Sequence, residues 1–172
     1  MAGPSIHASA VLIGNRAVLI RGPSGSGKSR LAFDLILAGR AGQIATAALI
    51  GDDRVHVWTK GAELMIGPAP ALAGLIEIRG LGVRRCDFVA EAPVGLVVDL
   101  DAADAERLPP PEALQTSLEG ILIPRIPVQR SFSGLPLVIA ALTMTANSSS
   151  AHPWADCSKE FGNHITLTLA TE

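Results

Sequence analysis

The chain is predicted to fold as an α/β domain, a mostly buried mixed sheet flanked by helices and built around a P-loop. Three observations lead there. Hydrophobic residues make up 48% of the chain, aromatics only 3%, and Tyr is missing, so the core must be Ala, Val, Leu and Ile. That aliphatic, glycine-punctuated texture suits parallel strands covered by helices on both faces. Two runs, Ala17-Val18-Leu19-Ile20 and Val94-Gly95-Leu96-Val97-Val98, are apolar enough for the centre of a sheet. Between the first of them and a stretch of helical period lies a glycine-rich loop, a strand–loop–helix junction at home in α/β folds.

Taken in order, Ala8-Ser9-Ala10-Val11-Leu12-Ile13 reads as a strand and Gly14-Asn15 as a tight turn. Ala17 to Arg21 completes a hairpin that runs straight into the glycine-rich loop. From Ser29 the period changes. Leu31, Leu35 and Ile36, with Ala32 and Phe33 between, fit a helix of about three turns, which Gly39 and Gly42 are placed to end. Ala47-Ala48-Leu49-Ile50 is a buried strand leading into Gly51-Asp52-Asp53. Val55, Val57 and Leu64-Met65-Ile66 alternate with polar residues, as antiparallel additions to a sheet do. Ala71-Leu72-Ala73-Gly74 supports at most a helical turn, and Ile76 to Val83 reads as a short strand or loop. Val94 to Leu100 is another central strand. Pro109-Pro110-Pro111 marks a surface crossing, and Ile121 to Val128 is held extended by its prolines. Leu135 to Leu142 fits either strand or helix, and from Thr143 the chain turns to Ser, Thr and Asn.

Residues 1–172 are read as one domain, long enough to bury a core without staples. With 14 basic and 16 acidic residues the net charge is −2, which lacks the basic footprint of a duplex-binding protein, so no nucleic-acid partner is expected. Cys86 and Cys157 are far apart and lack zinc-site spacing. The N-terminus has no basic region ahead of its apolar run, and no stretch reaches the roughly 18 apolar residues of a membrane span. A cytoplasmic protein with no membrane partner is the expectation.

The strongest chemical signal is Gly22-Pro23-Ser24-Gly25-Ser26-Gly27-Lys28-Ser29, a P-loop. Its glycines let successive N–H groups turn inward toward phosphates. Lys28 brings a point charge to the β- and γ-phosphates, and the Ser29 hydroxyl can ligate Mg²⁺. The following helix adds its positive end, worth about 0.3–1 kcal/mol per favourable charge. Two strand ends compete as the metal-side carboxylate: the doublet Asp52-Asp53 and Asp99. Adjacent like charges are costly unless a cation or a proton offsets them, which favours the doublet, although Asp is also common in plain turns. Glu77 and Arg79, placed two apart in a strand, share a face as acid and base, the arrangement of an ordinary ion pair as well as of a site. His7 precedes the first strand. His56, His152 and His164 share no ligand spacing and are read as structural.

Together these residues resemble the catalytic domain of HPr kinase/phosphorylase, the bacterial enzyme that phosphorylates a serine of the phosphocarrier HPr. His7, the P-loop, Asp52-Asp53 and Ile76-Glu77-Ile78-Arg79-Gly80-Leu81-Gly82 occur in the family's order, and the last is close to its signature. The resemblance covers residues 1 to about 142, with 143–172 an unassigned tail. It implies the HPr kinase and phosphoenolpyruvate carboxykinase type of fold, with ATP and Mg²⁺ as cofactors. Asp53 would take the proton of the substrate serine, with Asp52 its neighbour. Ser29 and Glu77 would hold Mg²⁺, and Lys28 the phosphates. His7, 21 residues before Lys28, stands at the place of the family's active-site histidine. Arg79 belongs to a segment linked to both reaction directions. The partner implied is HPr or an HPr-like phosphocarrier, and family members are often hexamers.

The sequence also departs from that pattern. Arg30 stands where the family has Glu, and extra residues surround Gly39-Arg40-Ala41-Gly42-Gln43. The match frays after Pro127, leaving Arg130, with Arg125 as the alternative, for the family's later catalytic arginine. The chain starts almost at His7, like the truncated forms of alphaproteobacteria. No segment associated with dephosphorylation is recognisable from Ala146 to Glu172, so the forward reaction is the expectation. Two other readings of the same motifs are a small-molecule kinase and a nucleotide-sensing module with little turnover.

Overall fold

A computed structural model describes residues 3–144. The sequence tail from 145, with His152, Cys157 and His164, lies outside the described residues. The elements are β1 (Ser5–Ile6), β2 (Ser9–Ile13), β3 (Arg16–Arg21), α1 (Lys28–Arg40), β4 (Ala47–Gly51), β5 (Val55–Lys60) and β6 (Glu63–Pro68). They continue with β7 (Leu75–Ile78), β8 (Gly82–Arg85), β9 (Ala92–Leu100), β10 (Gln115–Leu118), β11 (Ile121–Val128) and α2 (Gly134–Thr143).

Nine strands form one mixed sheet in the order β1-β5-β6-β9-β3-β2-β4, with β11 on the far half of β9 and β10 beyond it. The most apolar strand lies at the centre. β9 pairs antiparallel with β6 through Ala92 and Pro93, then parallel with β3 and with β11. The β2–β3 hairpin turns at Gly14-Asn15, with Ile13 opposite Arg16. β11 pairs with β10 from Ile121 to Pro124 and with β9 from Arg125 to Val128, so each half has one bonded flank and its prolines are accommodated.

Strand alternation divides the core in two. Val11, Ile13, Val18, Ile20, Leu96 and Val98 face α1 and α2. Ala8, Ala10, Ala17, Leu19 and Val97 face the other way, onto Val55, Val57, Leu64 and Ile66 of β5 and β6. Helices on both faces are therefore not what the described residues show. The second face is closed by the sheet itself, which curls until Gly51 at the end of β4 abuts Pro68 at the end of β6: a Cβ on Gly51 would stand 3.1 Å from the Pro68 Cα. Small alanines on that face permit the curl.

Residues 134–143 settle as a helix, because Gly134, Val138 and Leu142 repeat at four-residue spacing and bury one stripe. The helical turn read at 71–74 is a single 3₁₀ turn at Pro70–Leu72. A ring nitrogen of His56 donates to the Gly3 carbonyl at 2.8 Å, consistent with its structural reading. Cys86 is half-buried, and burial raises its thiol pKa. No helix among the described residues is long and apolar enough to cross a membrane.

Candidate active site

Strand direction collects the candidate residues at one edge of the sheet. β3, β9 and β11 run parallel, and β4 runs with them because both β3 and β4 are antiparallel to β2. Their carboxyl ends release the P-loop after Arg21, Asp52-Asp53 after Gly51, and Arg130 two residues after Val128. β2 enters at the same edge, with His7 just ahead of Ser9. Ligands of open α/β sheets bind in this crevice.

The P-loop rests directly on β9. Gly22 has φ 151°, and a Cβ there would lie 2.6 Å from the Ser26 Oγ and 3.0 Å from the Leu100 carbonyl oxygen, so only glycine lets the loop lie this low. Gly27 precedes α1 with φ 97°, and the first helical turn has neither a side-chain cap nor an acidic residue. Its N-terminal amides and dipole are thus not neutralised by a neighbouring side chain, the condition for anion binding. Lys28 is 6% exposed, and its Nζ donates to the carbonyls of Gly22 and Pro23 at 3.0 Å each. Burial lowers the Lys28 pKa, opposed by the nearby charges of Asp52 and Asp53.

The two acids of the doublet occupy opposite environments. Asp52 is 3% exposed. Its Oδ1 accepts from Ser9 Oγ at 2.5 Å and Ser29 Oγ at 2.9 Å, and its Oδ2 accepts from the Glu77 N–H at 3.0 Å. Three donors compensate a buried carboxylate. The Arg54 N–H closes back on the Asp52 carbonyl at 2.8 Å, with Asp53 at the apex of the turn. Asp53 adopts φ 65°, which Asp tolerates better than most residues. Its side chain is 66% exposed, with Oδ1 3.3 Å from His7 Nε2.

Glu77 lies exposed on β7, tethered to Asp52 through its backbone. Arg79 does not share its strand face. β7 ends at Ile78, the Leu81 N–H bonds to the Ile78 carbonyl at 2.9 Å, and Gly80 and Gly82 take φ 88° and 81°. The glycines reverse the chain before Arg79 can continue the alternation, and they leave it exposed in the turn joining β7 to β8. Arg130 is likewise exposed, in the 129–133 loop. Arg30 is solvent-facing and 3.8 Å from Asp34.

No cluster of three or more His, Cys, Asp or Glu among the described residues is placed to hold a bare ion. The donors on offer are the Ser29 hydroxyl and the Glu77 carboxylate. Few, hard oxygen ligands beside a phosphate cradle fit Mg²⁺, which takes most of its other ligands from phosphates and water.

The profile of the HPr Serine kinase C-terminal domain matches residues 2–144. The chain belongs to that family. It is 30% identical over 153 residues to HPr kinase/phosphorylase of Limosilactobacillus reuteri, covering 81% of this chain and 45% of the relative. To the Lactobacillus johnsonii enzyme of the same name it is 45% identical over 80 residues, 46% of this chain and 23% of that one. The chain thus spans less than half the length of these relatives. Among solved structures, the Hpr(Ser) kinase/phosphatase from Coxiella burnetii superimposes with a TM-score of 0.62 at 26% identity, covering 79% of this chain and 91% of the other. The P-loop-containing α/β fold with a mixed sheet is therefore the fold of an HPr kinase C-terminal domain.

In this chain Asp99 and Arg125 have other commitments. Arg21 grips Asp99 through two bonds of 2.6 and 2.7 Å, and Arg125 Nε donates to the same carboxylate at 2.5 Å. Arg125 also reaches Asp104 at 2.7 and 2.9 Å and the Ala113 carbonyl at 2.9 Å. Burial raises the Asp99 pKa, but the hydrogen bonds from both arginines outweigh it, and the carboxyl titrates below its usual range. Of the two rival acids it is Asp52 that meets the P-loop serine. Two members of this neighbourhood escape sequence reasoning, Ser9 and Arg21. A signal existed for Ser9: it is the one polar residue in an apolar strand, and a buried hydroxyl needs a partner.

Proposed function

We propose that this HPr kinase domain transfers the terminal phosphoryl group of ATP to a serine hydroxyl of HPr or an HPr-like phosphocarrier in the cytoplasm. One observation carries the reading: an exposed carboxylate, Asp53, stands beside His7 and next to a buried acid that is bonded to the P-loop serine. A serine hydroxyl is a weak nucleophile and gains from a positioned proton acceptor. Asp53 is that acceptor, and its solvent-facing side chain leaves room for a protein loop to bring a serine to it. His7 orients the carboxylate. Lys28 leaves the Gly22 and Pro23 carbonyls for the phosphates, which the loop amides also hold. Ser29 and Glu77 would hold Mg²⁺, which when bound would offset negative charge on the phosphates. Arg79 in the turn joining β7 to β8 and Arg130 in the 129–133 loop, both exposed, supply further positive charge toward the transferred group.

The names of the Limosilactobacillus reuteri and Coxiella burnetii relatives support the partner and the chemistry. The proposal is confined to the forward direction. Incubation with Mg²⁺-ATP and HPr, followed by mass spectrometry, is expected to show a single phosphoserine on the phosphocarrier. Transfer to a metabolite with none to any phosphocarrier would replace this reading with a small-molecule kinase. ATP binding with no transfer at all would replace it with a nucleotide sensor.

A further inference from the structure

We propose that Ser9 is a positioning residue for the Mg²⁺ half of this site, acting through Asp52. The inference rests on the Mg²⁺-ATP reading above and goes beyond it, because Ser9 belongs to none of the motifs that suggested that reading.

The argument turns on where the three donors to Asp52 are anchored. Ser29 lies on the first turn of α1 and Glu77 on the two-stranded β7–β8 ribbon, and these are the two groups that would meet the cation. Ser9 is different. It is fully buried in β2, paired with Ile20 of β3, and its neighbour Ala10 pairs with Gly51 of β4. It is therefore fixed by the sheet interior, on a strand bonded along both edges. Of the three hydrogen bonds, the one from Ser9 is also the shortest, at 2.5 Å.

The consequence is geometric. A serine hydroxyl carries one proton. With Asp52 held in place, Ser29 gives that proton to Oδ1, and its lone pairs stay available to a cation. The Glu77 N–H, bonded to Oδ2, fixes where that residue's carboxylate can reach. Ser9 thus ties both proposed Mg²⁺ ligands to the frame of the sheet through one carboxylate. Outer-shell partners bonded directly to a metal ligand, as Asp52 is to Ser29, typically change metal affinity roughly 10–100-fold when lost, and Ser9 acts one hydrogen bond further out, through Asp52.

The test uses the full chain and reads nucleotide binding rather than turnover. ATP affinity is measured calorimetrically with Mg²⁺ and with EDTA, and the ratio of the two Kd values defines the metal coupling. Ser9→Ala is expected to shrink that ratio about tenfold, the low end of the outer-shell range, with the EDTA value within about twofold of wild type. Ser9→Thr should keep the ratio and Ser9→Val lose it, since these two match in shape and differ in the hydroxyl. Should the added methyl not fit, Ser9→Ala, which adds no atoms, decides alone, with thermal melting to verify the fold. Equal weakening in Mg²⁺ and EDTA, or a Ser9→Ala ratio like wild type, overturns the proposal. A wild-type chain that binds no ATP, or binds it equally well in EDTA, overturns the Mg²⁺-ATP reading itself, which separates the two failures.

Discussion

Asp52 and Asp53 are neighbours in the chain and differ in almost every other respect. Asp52 is sealed by Ser9, Ser29 and the Glu77 N–H, whereas Asp53 sits at a turn apex with a left-handed backbone and an exposed side chain near His7. Two like charges at one strand end are made compatible by sending them to different environments, one saturated with donors and one hydrated. As the proposed proton acceptor, Asp53 is expected to be dispensable for nucleotide binding. Asp53→Asn should lower phosphoryl transfer about 10²–10⁴-fold while ATP affinity stays within a few-fold. Transfer at the wild-type rate by that variant would remove Asp53 from the role. The doublet stands out in the sequence, because a pair of acids ending an apolar strand is unusual. Which acid is buried is not legible, since the donors that seal Asp52 come from three separate elements.

Helix α1 shows how an element's ends carry more constraint than its stripe. Leu31, Leu35 and Ile36 predict it by spacing, and they are buried as expected. Gly39, read from sequence as a terminator, is inside the helix and serves packing instead: a Cβ there would lie 2.7 Å from the Ala47 Cβ and 2.8 Å from the Ala47 backbone nitrogen. Two effects oppose each other in Gly39→Ala. Helix propensity favours alanine by about 1 kcal/mol, while forcing α1 off β4 costs about 1–3 kcal/mol. Because part of the obstruction is backbone, the second should win, and urea denaturation is expected to show a net loss of about 1 kcal/mol. A stabilised variant would show that α1 and β4 separate easily. The β7–β8 ribbon makes the converse point. Its alternation is visible in the sequence, yet the positive φ values at Gly80 and Gly82 break it at the place where Arg79 was expected to align with Glu77.

Across the whole molecule, one ion network ties together the three parallel strands that end at the active-site edge. Arg21 of β3, Asp99 of β9 and Arg125 of β11 form a continuous chain of charge-assisted bonds, extended to Asp104. Removing the central acid takes both carboxylate bonds from Arg21 and leaves Arg125 with Asp104 and the Ala113 carbonyl. Asp99→Asn should destabilise the fold by about 2–3 kcal/mol, less than for a fully buried pair because the Arg21 side chain is 28% exposed. The pH dependence follows from the lowered Asp99 pKa. A carboxyl depressed in the folded state contributes stability that is complete above its unfolded pKa of about 4 and is lost as pH falls through the folded value. The gap between wild type and Asp99→Asn should therefore be full at pH 7 and narrow below about pH 4, measured by urea denaturation at both. A gap independent of pH would mean that Asp99 acts by shape and not by charge.

The P-loop, the acid doublet and the central strands are all readable from the chain alone. Their information is local: eight consecutive residues make the glycine-rich loop, and two adjacent ones make the doublet. The resemblance read from the sequence rests on that same local order of motifs. Strand neighbours are a different kind of fact. Alternation reveals which side chains share a face but says nothing about which strands lie side by side. The bond from Ser9 to Asp52 spans 43 positions and that from Arg21 to Asp99 spans 78. Only the order in which β2, β3, β4 and β9 assemble could bring those groups within bonding distance. The curl of the sheet, the separate fates of Asp52 and Asp53 and the commitment of Arg125 to Asp99 follow from that assembly.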